Sequence, residues 1–171
     1  VVLDRTAFYA TSGGQPNDLG TLNDTRVLDV VTDEAGDAVL HLLAGELTCD
    51  RVHGQIDWER RFDHMQQHTG QHILSQAFER ILDAPTVSFH LGADVCTIDV
   101  QLASLSTDDA AAVEDLANAI VFAATPVHVH EVTQSELARF PLRKQPTVNG
   151  LIRIVETEGF DYSPCGGTHV R

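Results

Sequence analysis

The longest regular pattern of apolar positions lies between Glu59 and Leu82, where Phe62, Met65, Thr69, Ile73, Ala77 and Ile81 recur at steps of three and four. That spacing lines them along one stripe of an α-helix. Gly70 is the weak helix former within it, and Asp83, Ala84 and Pro85 mark its end. A second amphipathic helix is expected after Ser106, where Ser106 to Asp109 supply an N-cap and an acidic first turn ahead of Val113, Leu116, Ala117, Ile120, Val121 and Ala124. Pro126 stops it. Short strand-like runs precede the first helix at Val27 to Val31, Ala38 to Leu43 and Val52 to Trp58, separated by turns containing Gly and Asp. Between the helices, Val87 to Leu91 and Val95 to Leu102 read as a hairpin joined by Gly92, Ala93 and Asp94. After the second helix come an alternating strand, Val127 to Val132, a short helix, Ser135 to Phe140, and a strand, Gly150 to Val155, with Glu158 to Thr168 left as a loop rich in Gly and Pro.

The pattern predicts an α+β protein in two parts. Residues 1–57 form a small β-barrel-like domain, and residues 58–171 an α+β domain with an antiparallel sheet and two main helices. With 171 residues, 43% of them hydrophobic, the chain can bury a core. No apolar run approaches the length of a membrane helix, and no signal-peptide pattern opens the chain. Three widely spaced cysteines, Cys49, Cys96 and Cys165, do not make a disulfide framework, which fits the reducing cytoplasm. The chain opens without Met and closes two residues after its densest motif, so truncation at both ends is expected.

Charge refines this picture by its distribution. The net charge is −14, which argues against a broad basic groove for nucleic acid. Residues 1–138 hold six basic and 22 acidic side chains, whereas Arg139, Arg143, Lys144, Arg153 and Arg171 face only Glu156, Glu158 and Asp161 in the remainder. The basic tail can meet a few phosphates locally.

Two ligand-like pairs stand out. His68 and His72 sit four apart on the first helix, on one face, and Cys165 and His169 repeat the interval as Cys-Gly-Gly-Thr-His. Together they supply a tetrahedral zinc set. Spacing alone leaves His64 with His68 as good a helical pair as His68 with His72. His128 and His130 share one side of a strand and read as surface or packing residues, His90 ends a strand within reach of a pocket, and Cys49 and Cys96 lack a partner at ligand spacing.

Gln67-His68-Thr69-Gly70-Gln71-His72 followed by Ser163-Pro164-Cys165-Gly166-Gly167-Thr168-His169 resembles the editing domain of alanyl-tRNA synthetases and the free-standing alanyl-tRNA editing proteins. Leu3 to Tyr9, Ser12-Gly13-Gly14-Gln15 and Asp18-Leu19-Gly20 are similar to members that carry a β-domain ahead of the editing domain. Cys96-Thr97-Ile98-Asp99 in place of an Arg-Phe-Asp-like string, and Ser163-Pro164 before the cysteine, lean towards the free-standing proteins. The resemblance implies zinc-dependent hydrolysis of the ester that joins a wrong amino acid, Ser or Gly, to tRNA(Ala), and it selects His68, His72, Cys165 and His169 as the zinc ligands. It also places the segment Ser12, Gly13, Gly14 and Gln15 near the editing pocket. From the residues themselves, Arg143 and Lys144 of the basic tail are expected towards the acceptor end, and Thr69, Gln71 and His90 are the catalytic candidates expected to hydrogen-bond the amino acid. The other readings are an editing domain excised from a full synthetase and a structural-zinc module that binds tRNA without hydrolysing it.

Overall fold

A computed structural model describes all residues except 37, 93, 94 and 147–149. It is α+β, with antiparallel strand pairing throughout: β1 (Gly20–Leu22), β2 (Thr25–Thr32), β3 (Val39–Leu43), β4 (Gly54–Ile56), α1 (Trp58–Leu82), β5 (Thr86–Leu91), β6 (Cys96–Val100), α2 (Thr107–Phe122), β7 (Val127–Val132), a 3-10 turn (Gln134–Arg139), β8 (Ile152–Thr157) and β9 (Asp161–Pro164).

The strands before α1 form a sheet ordered β3-β2-β1-β4. Phe8, Leu22, Val27 and Val30 make its core, with Leu3, Ala10, Val39, Leu43, Leu47, Val52 and Ile56 packed around them. β3 and β4 are its edges, and no pairing among the described residues joins them into a ring. β1 escaped the hydrophobic pattern because it has only three residues and begins with Gly20. The run Val52 to Trp58 is strand only over β4, and Trp58 opens the helix.

α1 starts at the Asp57 cap, whose side chain accepts from the Arg60 amide, and ends at Asp83 in the left-handed conformation. Its buried face differs from the expected apolar stripe. Phe62 and Ile81 are exposed, while His64, His68, Gln71, His72 and Ser75 are buried beside Thr69, Ile73, Ala77 and Phe78. Polar side chains turn inward here because they build a site rather than face water. The C-terminal half of α1 packs on α2 through Ile73, Ala77, Phe78 and Val113, joined by Ala84 and Phe160. In α2, Val121 is exposed and Ala124 lies beyond the helix end.

The remaining strands form two sheets, β5-β6 and β7-β8-β9. β6 is shorter than the expected Val95 to Leu102, and the turn expected at Ala93 and Asp94 lies outside the described residues. β8 starts two residues later than expected, and the short helix is a 3-10 turn. The expected loop from Glu158 to Thr168 contains β9, whose Pro164 occupies an edge position paired to Ile154. That short strand carries Asp161, Ser163 and, next in sequence, Cys165 to the middle of α1.

Candidate metal centre

His68 and His72 project from one face of α1, and the turn after β9 brings Cys165 and His169 against them. The four ligand atoms all lie within 4.8 Å of one another. Cys165 Sγ is 3.5 Å from His68 Nε2 and 3.4 Å from His169 Nε2. Tetrahedral bonds of the usual zinc lengths put ligand atoms about 3.4–3.7 Å apart, so these donors fit a zinc-sized ion. His64 is buried but stands outside the cluster, which decides between the two helical pairs.

The second nitrogen of each imidazole has a neighbour. Gln15 Oε1 accepts from the Thr168 amide at 3.0 Å, which fixes the orientation of the Gln15 amide. His68 Nδ1, 2.8 Å from the same oxygen, must therefore donate, leaving Nε2 with its lone pair towards the centre. Gln15 Nε2 donates to Thr168 Oγ1 at 2.8 Å. Thr69 Oγ1 donates its proton to Met65 O at 2.9 Å, so it accepts from His169 Nδ1 at 3.1 Å and from the Val170 amide at 3.2 Å. His72 Nδ1 faces Asp161 Oδ2 at 3.3 Å. Asp161, 1% exposed, is held by Arg143 Nε at 2.9 Å and by the Ser163 hydroxyl. Burial pushes the His72 pKa down, but Asp161 and Cys165 outweigh it and raise it. Burial likewise works against the Cys165 thiolate, yet the imidazoles of His169, His68 and His72 bring its pKa down to about 3. A sulfur in that state is ready to bind a cation.

Backbone shape completes the centre. The Gly167 amide donates to Cys165 Sγ at 3.3 Å. A Cβ on Gly167 would stand 2.1 Å from His68 Cε1 and 3.1 Å from Gln15 Oε1, so this position needs glycine. Gly166 meets nothing within 4 Å, so only one glycine of the motif is sterically required. Arg153 donates to the carbonyls of Cys165 and Gly167 at 2.7 and 2.8 Å.

A cavity of about 470 Å³ opens beside the centre, walled by His68, Gln71, His72, Phe89, His90 and Cys165 among others. Ser12 to Gln15 close a tight turn through reciprocal backbone bonds, with Gly13 and Gly14 at φ 54° and 85°. A Cβ on Gly14 would lie 2.6 Å from Phe89 O, and Gly14 O accepts from the Leu91 amide at 3.1 Å. The turn thus abuts β5, and its Ser12, Gly13 and Gly14 line the cavity.

The structure redistributes several expected roles. Gln15, fully buried, holds His68 and Thr168. Thr69 has its hydroxyl fully occupied by His169, Val170 and Met65. Arg143 lines the cavity but its guanidinium is tied to Asp161 and Ser163, while Lys144 lines it and is exposed. Gln71 and His90 both face the cavity. Asp161 was missed because a lone Asp four residues before Cys165 carries no signal until β9 forms. Cys49 and Cys96 are exposed free thiols.

The profile of the family described as tRNA synthetases class II (A) matches residues 1–60. The chain is 36% identical to the alanyl-tRNA editing protein AlaX-M of Methanosarcina acetivorans, over all of this chain and 77% of that protein. It is 38% identical to the alanyl-tRNA editing protein AlaX-L of Pyrococcus horikoshii and 37% identical to the alanyl-tRNA editing protein Aarsd1 of Rattus norvegicus, over 100% and 99% of this chain. It spans 44% and 42% of the length of those two relatives. Full coverage of the chain, joined to the His68, His72, Cys165 and His169 centre, places it: the chain belongs to the family of alanyl-tRNA editing proteins.

Proposed function

We propose that the protein is an aminoacyl-tRNA deacylase that hydrolyses the ester of Ser, and of Gly, wrongly attached to tRNA(Ala), with Zn2+ held by His68, His72, Cys165 and His169. The observation that carries this reading is the convergence of four metal-ligating atoms at the wall of a cavity large enough for an aminoacyl group. Zinc held there would supply a Lewis acid for the ester carbonyl if one of the four ligands yielded its position. The remaining work falls to the chain itself. Gln15 and Thr69 hold the imidazoles of His68 and His169 by hydrogen bonds and Asp161 faces that of His72, the Ser12 to Gly14 turn and Phe89 shape the cavity, and Gln71 and His90 offer polar contacts to the amino acid. An aminoacyl ester is already activated, so positioning the ester and excluding bulk water suffice for much of the acceleration.

Of the described cations that line the cavity, Lys144 is exposed and is offered to the acceptor-end phosphates, whereas Arg143, like Arg153, is engaged inside the protein. In this reading residues 1–57 and 58–171 are two units, both of which contribute to the site, and the protein works in the cytoplasm.

The test is deacylation by pure zinc-loaded protein of tRNA(Ala) charged with Ser, Gly or Ala. Release of Ser well above the spontaneous rate, with Ala left in place, is the expected result. Protein that binds zinc stoichiometrically yet leaves all three esters intact would make the centre a structural one, as four protein ligands commonly are.

A further inference from the structure

Gln71 stands between two of the metal-centre histidines, and one of its amide atoms has no partner. The residue is 9% exposed and lines the cavity. Its Nε2 donates to Ser75 Oγ at 2.6 Å, and Ser75 Oγ also accepts from Thr86 Oγ1 at 2.8 Å. With the amide assigned in this orientation, it is anchored through its nitrogen. Its Oε1 is buried and accepts no hydrogen bond. Native proteins rarely leave a buried acceptor unpaired, and one on a residue that lines a cavity is accounted for if a ligand brings the donor.

An esterified amino acid offers two kinds of donor, the α-ammonium and, in serine, the side-chain hydroxyl. A buried ammonium needs a counter-charge. The described residues lining this cavity include no carboxylate, its charged side chains are Lys144 and the engaged Arg143, and the Cys165 sulfur belongs to the metal centre. A neutral hydroxyl needs only an acceptor.

We propose that Gln71 Oε1 accepts the hydroxyl of a bound seryl group and so acts as a specificity-determining residue. Serine then satisfies the acceptor, whereas alanine and glycine leave it unpaired. A site built to hydrogen-bond a hydroxyl discriminates strongly against analogues that lack it, because its own polar group stays unpaired. The inference rests on the deacylase reading for the identity of the ligand, but recognition can be measured apart from hydrolysis.

The experiment uses the non-hydrolysable 3′-amide analogues of seryl- and alanyl-adenosine, titrated calorimetrically into zinc-loaded and metal-free protein. The seryl analogue should bind about tenfold or more tightly than the alanyl one, and Gln71→Leu should erase that preference. In turnover, the ratio of Ser-tRNA(Ala) to Gly-tRNA(Ala) deacylation should fall about tenfold or more in Gln71→Leu, read as a ratio so that a general loss of activity cancels. Ser75→Ala frees the amide nitrogen, and its ratio should fall by a smaller factor. Equal or undetectable binding of the two analogues, or an undiminished seryl preference in Gln71→Leu, overturns the proposal. A seryl preference in binding without any turnover upholds Gln71 and overturns the deacylase reading instead.

Discussion

Two of the chain's histidine pairs, one on α1 and one on β7, have opposite fates. His68 and His72 lie four apart on α1, 2% and 5% exposed, with Nε2 of His68 directed at Cys165 and Nδ1 of each against a polar neighbour. His128 and His130 lie two apart on β7, on one face with ring centroids 6.4 Å apart, and each points Nε2 at a glutamate on or just beyond β8, Glu158 and Glu156. Both spacings place two imidazoles side by side. The difference is which nitrogen is occupied. At α1 Nδ1 of His68 is held by Gln15 and Nδ1 of His72 faces Asp161, which leaves Nε2 of His68 free to coordinate; at β7 the Nε2 atoms are already spent on carboxylates. A histidine pair becomes a metal site through the partners of its other nitrogens and through a second ligand pair that closes on it, rather than through spacing.

The sharpest way to break this comparison is to remove one imidazole from each pair. His68→Ala should lose the bound metal and lower deacylation more than the roughly 10–100-fold expected from losing an outer partner. His128→Ala should retain both. Metal content after gel filtration and turnover on Ser-tRNA(Ala) check the pair of variants, and equal losses would erase the distinction.

Next in size is Gly167→Ala, which acts on the α1 pair without touching a ligand. Its new methyl would overlap His68 at 2.1 Å and press on Gln15, so the imidazole must rotate away from Cys165. Affinity for zinc, measured by chelator competition, should drop about 100-fold, towards the upper end of what disturbing a ligand's orientation causes. Gly166→Ala, with open space around the added carbon, should bind as the parent does.

Gln15→Leu and Asp161→Asn sharpen the role of the held nitrogens. Gln15→Leu removes the acceptor facing His68, and Asp161→Asn keeps the side chain's shape but removes the charge facing His72. Zinc affinity should fall about 10–100-fold for Gln15→Leu, and somewhat less for Asp161→Asn, whose amide keeps one oxygen. Chelator competition reads both, and unchanged affinity would show that the four ligands suffice.

These residues also show what the hydrophobic pattern could reveal. Both helices and β7 were legible because each repeats its period over several residues, and the ligand pairs were legible because their intervals match a helix and a tight turn. The resemblance of the motifs, not the spacing, singled out His68 and His72 over His64. Gln15, Thr69 and Asp161 were not legible in their positioning roles. Each is a single polar residue whose partner lies far away in the chain, as with Gln15 and Thr168, separated by 153 positions. The polar burial on α1 was hidden for the same reason, since His64, Gln71 and Ser75 look solvent-facing until other elements arrive. β1 and β9 were too short for a period to register.

The smallest effect belongs to the β7 pair, and it separates a surface contact from a site. Glu156 is 14% exposed and lies 2.6 Å from His130 Nε2. Burial alone would raise its pKa, but hydrogen bonds from Tyr162 and His130 prevail and lower it. A carboxylate whose folded pKa is depressed contributes stability above its unfolded value and loses it as the pH falls through the folded one. Glu156→Gln should therefore cost under about 1 kcal/mol at pH 7, as a partly exposed pair does. The gap between parent and variant should begin to narrow as the pH falls below the ordinary glutamate value of about 4.3 and close only below the lowered folded value, where protonation removes the same charge from the parent. Chemical denaturation across that range measures it. The control sits in the other pair: Glu156→Gln leaves zinc affinity where it was, because nothing it touches holds a ligand.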